Sequence, residues 1–377
     1  MKIVHVLSLS AIGGVQNSFL TYYELATKKS QFEHEICLTR KIGKDYKSLI
    51  PLNHFSLRSI NGITKLIYHI VSKNTIVHFY NSLGSRPIYL LLKFFPSQKI
   101  IFHERGSAWN SNSSNNRYFL KNAEISEMII SNSNATRQFL NLKFNIPLDK
   151  ISVIYNGIDL KNQKSSSKFS NKFSVGYLGR FETQKGLSSL ISASRLLPKI
   201  NFYFGGYGPW EAFLNDHSID QKNVFVVGKI KDSFSFLSKI DILIVPSIRE
   251  PFGNVIVEAG LCNKAVIASN VDGIPEIINS KEVGYLITPT EDINYNLRPL
   301  ESLNYPEQVY YPDSNKLGKP KELDSKTLAK TIQKLSENKV LREKMGKSLN
   351  KRVTHLFSLE NYFKNLENFY FEIMNLL

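Results

Sequence analysis

The segment Ser247-Ile248-Arg249-Glu250-Pro251-Phe252-Gly253-Asn254-Val255-Ile256-Val257-Glu258-Ala259-Gly260 follows an apolar run, Ile242-Leu243-Ile244-Val245-Pro246. The run reads as a buried parallel strand. Pro251 breaks the chain just past Glu250, and Gly253-Asn254 opens an apolar segment that reads as a short helix. Glu250 is therefore expected on the loop at a strand's carboxyl end, with Asn254 and Glu258, four apart, on one helical face. That edge of an open α/β sheet is where ligands bind. Free N–H groups at a helix start suit an anion, and a carboxylate one turn further in suits hydroxyl groups. Together they describe a site for a phosphorylated sugar.

A strand, a loop and a helix with two solvated glutamates is the plain alternative. The spacing is more particular than that. Seven residues separate the glutamates, with Phe-Gly just after the first and Ala after the second. This resembles the signature of the retaining glycosyltransferases of family 4. The resemblance implies the GT-B architecture: two Rossmann-like doubly wound α/β domains facing across a cleft, the donor mainly on the second and the acceptor on the first. It also implies retention at the anomeric carbon, with the leaving phosphate helping to accept the acceptor's proton. Glu250 would hold donor-sugar hydroxyls and Glu258 ribose hydroxyls, while Phe252, Gly253 and Asn254 present amides to sugar and phosphate.

The totals are compatible with two domains. The chain has 377 residues, 42% hydrophobic and 21% charged, as in an ordinary globular protein. Cys37 and Cys262 form no spacing motif, which argues for a reducing compartment and against a disulfide framework. Met1–Leu7 reads as a first strand and not a signal peptide, and no apolar stretch is long enough for a membrane span. A cytoplasmic protein is expected. The formal charge of +16 is uneven, since residues 1–164 hold 21 Lys and Arg against 9 Asp and Glu. A basic surface serves nucleic acid, an anionic membrane or an acidic substrate. No nucleic-acid module is recognisable, so a nucleic-acid partner is not expected.

In the first half, strands fit at Ile3–Leu7, His34–Leu38, Thr75–Phe79, Lys99–His103, Met128–Ser131 and Ile151–Tyr155, alternating with helical segments. Gly13-Gly14 follows the first strand, where paired glycines let backbone approach a ligand and leave amides free. A plain tight turn reads equally well, although the family carries a glycine-rich turn here. His103 ends a strand; family members often have a histidine at this place, close to the donor sugar. Ser133 reads as a helix cap. Residues 161–172, rich in Ser, Lys and Asn, read as a linker. The expected boundaries are 1–164 for an acceptor domain, 165–355 for a nucleotide-sugar domain, and 356–377 for an aromatic helix returning to the first domain.

The second half restarts the rhythm. Arg180 and Lys185, five apart after the strand Phe173–Leu178, suit two phosphates, Arg by its fork and Lys as a point charge. They also resemble the family's Gly-Arg…Lys-Gly motif. Gly205–Pro209 resembles its Gly-x-Gly-Pro turn, and by the same resemblance the backbone at Lys229 and Ile230 would meet the nucleobase. Residues 289–323 lack a clean period and read as an inserted loop. No Asp-x-Asp, His-x-x-x-His or Cys-x-x-Cys occurs, so no metal or other cofactor is expected beyond the nucleotide-sugar. The acceptor would be a saccharide or a lipid-linked saccharide, as in surface polysaccharide or lipopolysaccharide synthesis. Three rivals remain: a non-catalytic sugar-nucleotide binder, a dinucleotide-dependent oxidoreductase, and an NDP-sugar epimerase on the same architecture. The second lacks the glycine fingerprint with an acidic residue about 20 positions on.

Overall fold

The computed structural model describes residues 1–10, 14–46, 53–97, 99–110, 116–160, 167–293 and 305–375. The chain divides into two compact units, one of Met1–Asp159 with Phe357–Leu377 and one of Leu160–Leu356.

The first unit is a parallel sheet of β1 (Lys2–Leu7), β2 (Glu33–Leu38), β3 (His54–Ser56), β4 (Thr75–Tyr80), β5 (Ile100–Glu104), β6 (Met128–Ser131) and β7 (Ile151–Val153), in the order 3-2-1-4-5-6-7. Parallel neighbours need crossovers. Five of the six connections run through α1 (Gly14–Lys29), α2 (Ile60–Val71), α3 (Arg86–Phe94), α4 (Asn116–Ile125) and α5 (Asn134–Phe144). Side-chain caps start three of them: Ser59, Ser85 and Ser133 accept from the amides of Gly62, Ile88 and Thr136. With helices on both faces, all six residues of β4 are buried. Edge strand β3 is absent from the sequence reading because three residues are too few to show a period.

The second unit repeats the plan with β8 (Ser174–Leu178), β9 (Asn201–Gly205), β10 (Val224–Gly228), β11 (Ile242–Val245), β12 (Ala265–Ser269) and β13 (Tyr285–Ile287), in the order 10-9-8-11-12-13, all parallel. Its helices are α6 (Leu187–Leu196), α7 (Glu211–Asp220), α8 (Ser233–Ser238), α9 (Asn254–Leu261), α10 (Ile274–Ile277), α11 (Ser325–Glu337) and α12 (Lys339–Leu356). Strand order reverses between β8 and β11, which opens a crevice at their carboxyl ends.

The inserted segment is more ordered than its sequence suggests, although 294–304 lie outside the described residues. β14 (Glu291–Asp292) pairs antiparallel with β17 (Lys321–Glu322), and β15 (Val309–Tyr311) with β16 (Lys316–Gly318). Strands of two or three residues carry no legible alternation.

Helix α13 (Leu359–Asn375) belongs to the first unit. Its Tyr362, Leu366, Phe369, Tyr370 and Ile373 share a core with Ile3, Leu7, Phe19 and Tyr22. Beneath it lies a row of four buried histidines from neighbouring strands, His34 (β2), His5 (β1), His78 (β4) and His103 (β5). Successive ring centroids are 5.2, 5.8 and 5.3 Å apart. His5 Nε2 meets His34 Nδ1 at 2.9 Å, His5 Nδ1 meets the Tyr80 hydroxyl at 3.1 Å, and His78 Nδ1 meets the Tyr370 hydroxyl at 2.7 Å. Burial pushes all four imidazoles below their usual range, His34 to about 4.

Candidate active site

Four turns meet at the carboxyl edge of the second sheet. After β8, Thr183–Lys185 form a single 3₁₀ turn that closes at Gly186 with φ +64°. A Cβ on Gly186 would sit 1.9 Å from the Pro246 carbonyl oxygen, so the turn after β8 lies directly against the turn after β11. The amides of Ile248 and Arg249 both donate to the Gln184 carbonyl, at 3.0 and 3.2 Å. The next turn docks the same way: a Cβ on Gly206 would fall 1.8 Å from the Gly179 carbonyl oxygen, and the Phe181 amide donates to the Tyr207 carbonyl at 2.8 Å. Gly228, the last residue of β10, accepts from the Gly206 amide at 2.8 Å. Beyond it, exposed Lys229 holds its ammonium 5.3 Å from the Tyr207 ring, and half-buried Ile230 packs close to Gly205.

This lacing sets the charged side chains. Lys185 Nζ lies 2.6 Å from Glu250 Oε2, and the two side chains are only 17% and 14% exposed. The Ser247 hydroxyl also reaches Glu250 Oε2, at 3.4 Å. Arg180 turns instead to Glu182, at 2.7 Å, with its side chain 60% exposed. The two cations read from the sequence as one grip are thus divided, one inside the crevice on Glu250 and one at its surface.

Gly253, with φ +108°, precedes α9, and a Cβ there would meet Glu250 Cγ at 3.6 Å, so Glu250 lies beside the helix start. Phe252 is buried, Asn254 half-buried and Glu258 half-buried. The Glu258 carboxyl is pushed up to about 7, chiefly by burial and further by the charge of Asp232, against a hydrogen bond from Ser233. The two glutamates therefore have different surroundings, Glu250 an ammonium and Glu258 the start of α8.

Two residues that sequence reasoning passed over support this edge. Arg249 is 5% exposed and hydrogen-bonds through Nη2 to Gln184 Oε1. Asp272 is wholly buried; its Oδ2 accepts from the Glu250 amide at 2.7 Å and its Oδ1 from the Tyr310 amide at 2.9 Å. Burial raises its carboxyl to about 7 against those two amides and Arg249. The only local signal was an Asp-Gly pair, which reads as a turn. The Glu276 carbonyl accepts from Arg352 Nη2 at 2.8 Å.

In the first unit Gly13 lies outside the described residues and Gly14 opens α1. His103, expected to face the cleft from its strand end, is instead 1% exposed and stacked on His78 inside the domain. The next residue, Arg105, ties that edge together through Asn156 Oδ1 at 2.7 Å and Ser18 Oγ at 3.0 Å. Among the described residues no group of three or more His, Cys, Asp or Glu is placed to hold a metal ion.

Comparison with known proteins converges on one family. Residues 159–311 match the family model "Glycosyl transferases group 1", and residues 23–162 match "Glycosyltransferase Family 4". The uncharacterized glycosyltransferase MJ1178 of Methanocaldococcus jannaschii is 30% identical over 62% of this chain and 69% of its own. The capsular polysaccharide biosynthesis glycosyltransferase CapM of Staphylococcus aureus is 26% identical over 56% of this chain and 50% of its own. The chain spans about half the length of the first curated relatives it matches. Anabaena Alr3699/HepE, solved in complex with UDP-glucose, superposes with a TM-score of 0.76 over 100% of both chains at 19% identity. Two parallel-sheet domains, a C-terminal helix returned to the first, and these matches place the chain in the group 1 and family 4 glycosyltransferases of GT-B architecture.

Proposed function

We propose that the protein is a retaining, metal-independent hexosyltransferase that moves a sugar from a nucleotide-sugar to a saccharide or lipid-linked saccharide, in bacterial surface polysaccharide or lipopolysaccharide synthesis. The observation that carries this reading is the Lys185–Glu250 pair at the switch point between β8 and β11. An ammonium beside a carboxylate matches a sugar phosphate at the bond to be broken, one group for phosphate oxygen and one for sugar hydroxyls. Arg180 at the crevice surface adds a second cation within the same turn. Glu258 takes the ribose hydroxyls, the amides around Phe252, Gly253 and Asn254 take sugar and phosphate, and backbone at Lys229 and Ile230 meets the base. The bond from the anomeric carbon to the phosphate oxygen breaks while the acceptor oxygen bonds on the same face, and the acceptor's proton passes to the departing phosphate.

Glu250→Gln and Glu258→Gln separate these roles. The Glu250 change is expected to lower turnover at saturating donor, and the Glu258 change mainly to raise the donor KM. A Glu250 variant with unchanged maximal turnover would sink the placement beside the sugar. The donor itself is found by screening nucleotide-sugars for a rise in melting temperature, since a ligand binding only the native state stabilises it.

The same reading includes an anionic membrane as the place where a lipid-linked acceptor is met. Among the described residues no helix is long and apolar enough to cross a membrane. From Tyr46 to His103 the sequence has no acidic residue. Helices α2 and α3 in that stretch expose Ile60 (80%), Tyr68, Val71, Leu90 and Phe94 (75%). Basic residues Arg58, Lys65, Arg86 and Lys93 are interspersed with them. Such a mixture suits reversible attachment, each basic residue near an anionic surface contributing roughly 1 kcal/mol. Cosedimentation with anionic liposomes is expected at low salt and should fall as salt rises. Equal partitioning onto neutral lipid, or none onto either, would point to a soluble acidic acceptor.

A further inference from the structure

Asp272 bridges the insertion after β13 to the turn that carries Glu250. Asp272 spends both carboxylate oxygens on main-chain amides, one from Glu250 and one from Tyr310 in β15. The attachment is reciprocal on both sides: the Asp272 amide donates to the Tyr310 carbonyl at 2.9 Å, and the Gly273 amide donates to the Glu250 carbonyl at 3.1 Å. Asp272 adopts φ +46°, a left-handed conformation that Asp tolerates better than most residues. A turn alone would not require a carboxylate here, and burying one is costly unless both oxygens are used. The hairpin holds its own half of the contact firmly. Val309 and Tyr310 are buried and the Tyr310 hydroxyl donates to Asn315 Oδ1 at 2.8 Å, while a second side-chain bond, from Asn270 Nδ2 after β12 to Asp313 Oδ2 at 2.7 Å, ties the hairpin to the sheet. Both main-chain groups of Tyr310 point at Asp272, away from β16.

We infer that Asp272 is a positioning residue and the β15–β16 hairpin its support, so that the insertion is a working part of the active site, fixing the main chain from which Glu250 projects. The inference rests on the reading of Glu250 as the carboxylate that holds the donor sugar. Asp272→Asn keeps the shape but turns an amide NH₂ toward one of the two N–H donors. Tyr310→Pro removes the hairpin's N–H without touching its ladder with β16, and Tyr310→Phe keeps it.

The test combines hydrogen exchange at the Glu250 amide, transfer kinetics with the donor found by screening, and melting temperature. Asp272→Asn and Tyr310→Pro are expected to speed exchange at Glu250 roughly tenfold, as loss of one such bond implies. Turnover should fall by a similar factor with the donor KM little changed, and Tyr310→Phe should match the parent protein in both. Parental protection at Glu250 in either of the first two variants would overturn the inference. So would loosened exchange with full turnover, given that Glu250→Gln itself lowers turnover. If Glu250→Gln leaves turnover intact, the assignment of Glu250 fails, while the exchange measurement still decides whether the hairpin holds that loop.

Discussion

Lys185→Ala is expected to lower transfer at saturating donor by on the order of 10²-fold, and Arg180→Ala by a comparable factor, in protein that remains folded. In the metal-independent transfer proposed above, the charge gathering on the leaving diphosphate would be met by fixed cations and amides. Lys185 would be preorganised for this, since its largely buried ammonium sits on Glu250 at 2.6 Å. Removing it also leaves Glu250 without that ammonium, so both halves of the proposed sugar-phosphate site are disturbed. Arg180 is held more loosely. An exposed ion pair such as that with Glu182 is worth roughly 0–1 kcal/mol, so it releases easily to a phosphate. Near-normal turnover in both variants would remove the phosphate role. Treatment with EDTA should leave activity largely intact; a full loss restored by Mn²⁺ would show that charge neutralisation belongs to a metal.

The N-terminal domain is expected to lose stability steeply as pH falls below about 6.5, the ordinary histidine value. His34, His5, His78 and His103 are held neutral by burial, so their folded pKa values lie below the unfolded ones. The unfolded chain then binds more protons in this window, and stability present above pH 6.5 drains away toward the folded values. For His34, titrating at about 4, the loss between pH 7 and pH 5 is about 2 kcal/mol, and the other three act in the same direction. Raised carboxyls at Glu104 and Glu367 oppose the trend, while His69, also lowered chiefly by burial, adds to the four. In the C-terminal domain Glu258 and Asp272, both at about 7, have the opposite sign and contribute more stability at pH 5 than at pH 7. Hydrogen exchange read separately on peptides of each domain, from pH 7.5 to 5, measures the contrast. Equal responses of the two domains would mean that the histidine row is not buried and neutral.

The sequence alone determined the doubly wound α/β class, the strand–turn–helix setting of Glu250 and Glu258, and the family signature that they form. Each of these is written in short-range periodicity and spacing: an apolar strand, a proline or glycine stop, two acids at a fixed interval. Cap residues such as Ser133 were legible for the same reason, because their partners lie three residues away. Only the tertiary structure decided how the charges pair. Lys185 and Glu250 are 65 residues apart, and local spacing alone would have grouped Lys185 with Arg180. The same holds for His103. A strand end is readable from the chain, but the stacking of His103 on His78 and Tyr80 of the neighbouring strand is set by the pairing of β4 with β5. Asp272 reads locally as half of an Asp-Gly turn. Its bonds to Glu250 and Tyr310 cross 22 and 38 residues and exist because the sheet brings the ends of β11 and β12 side by side.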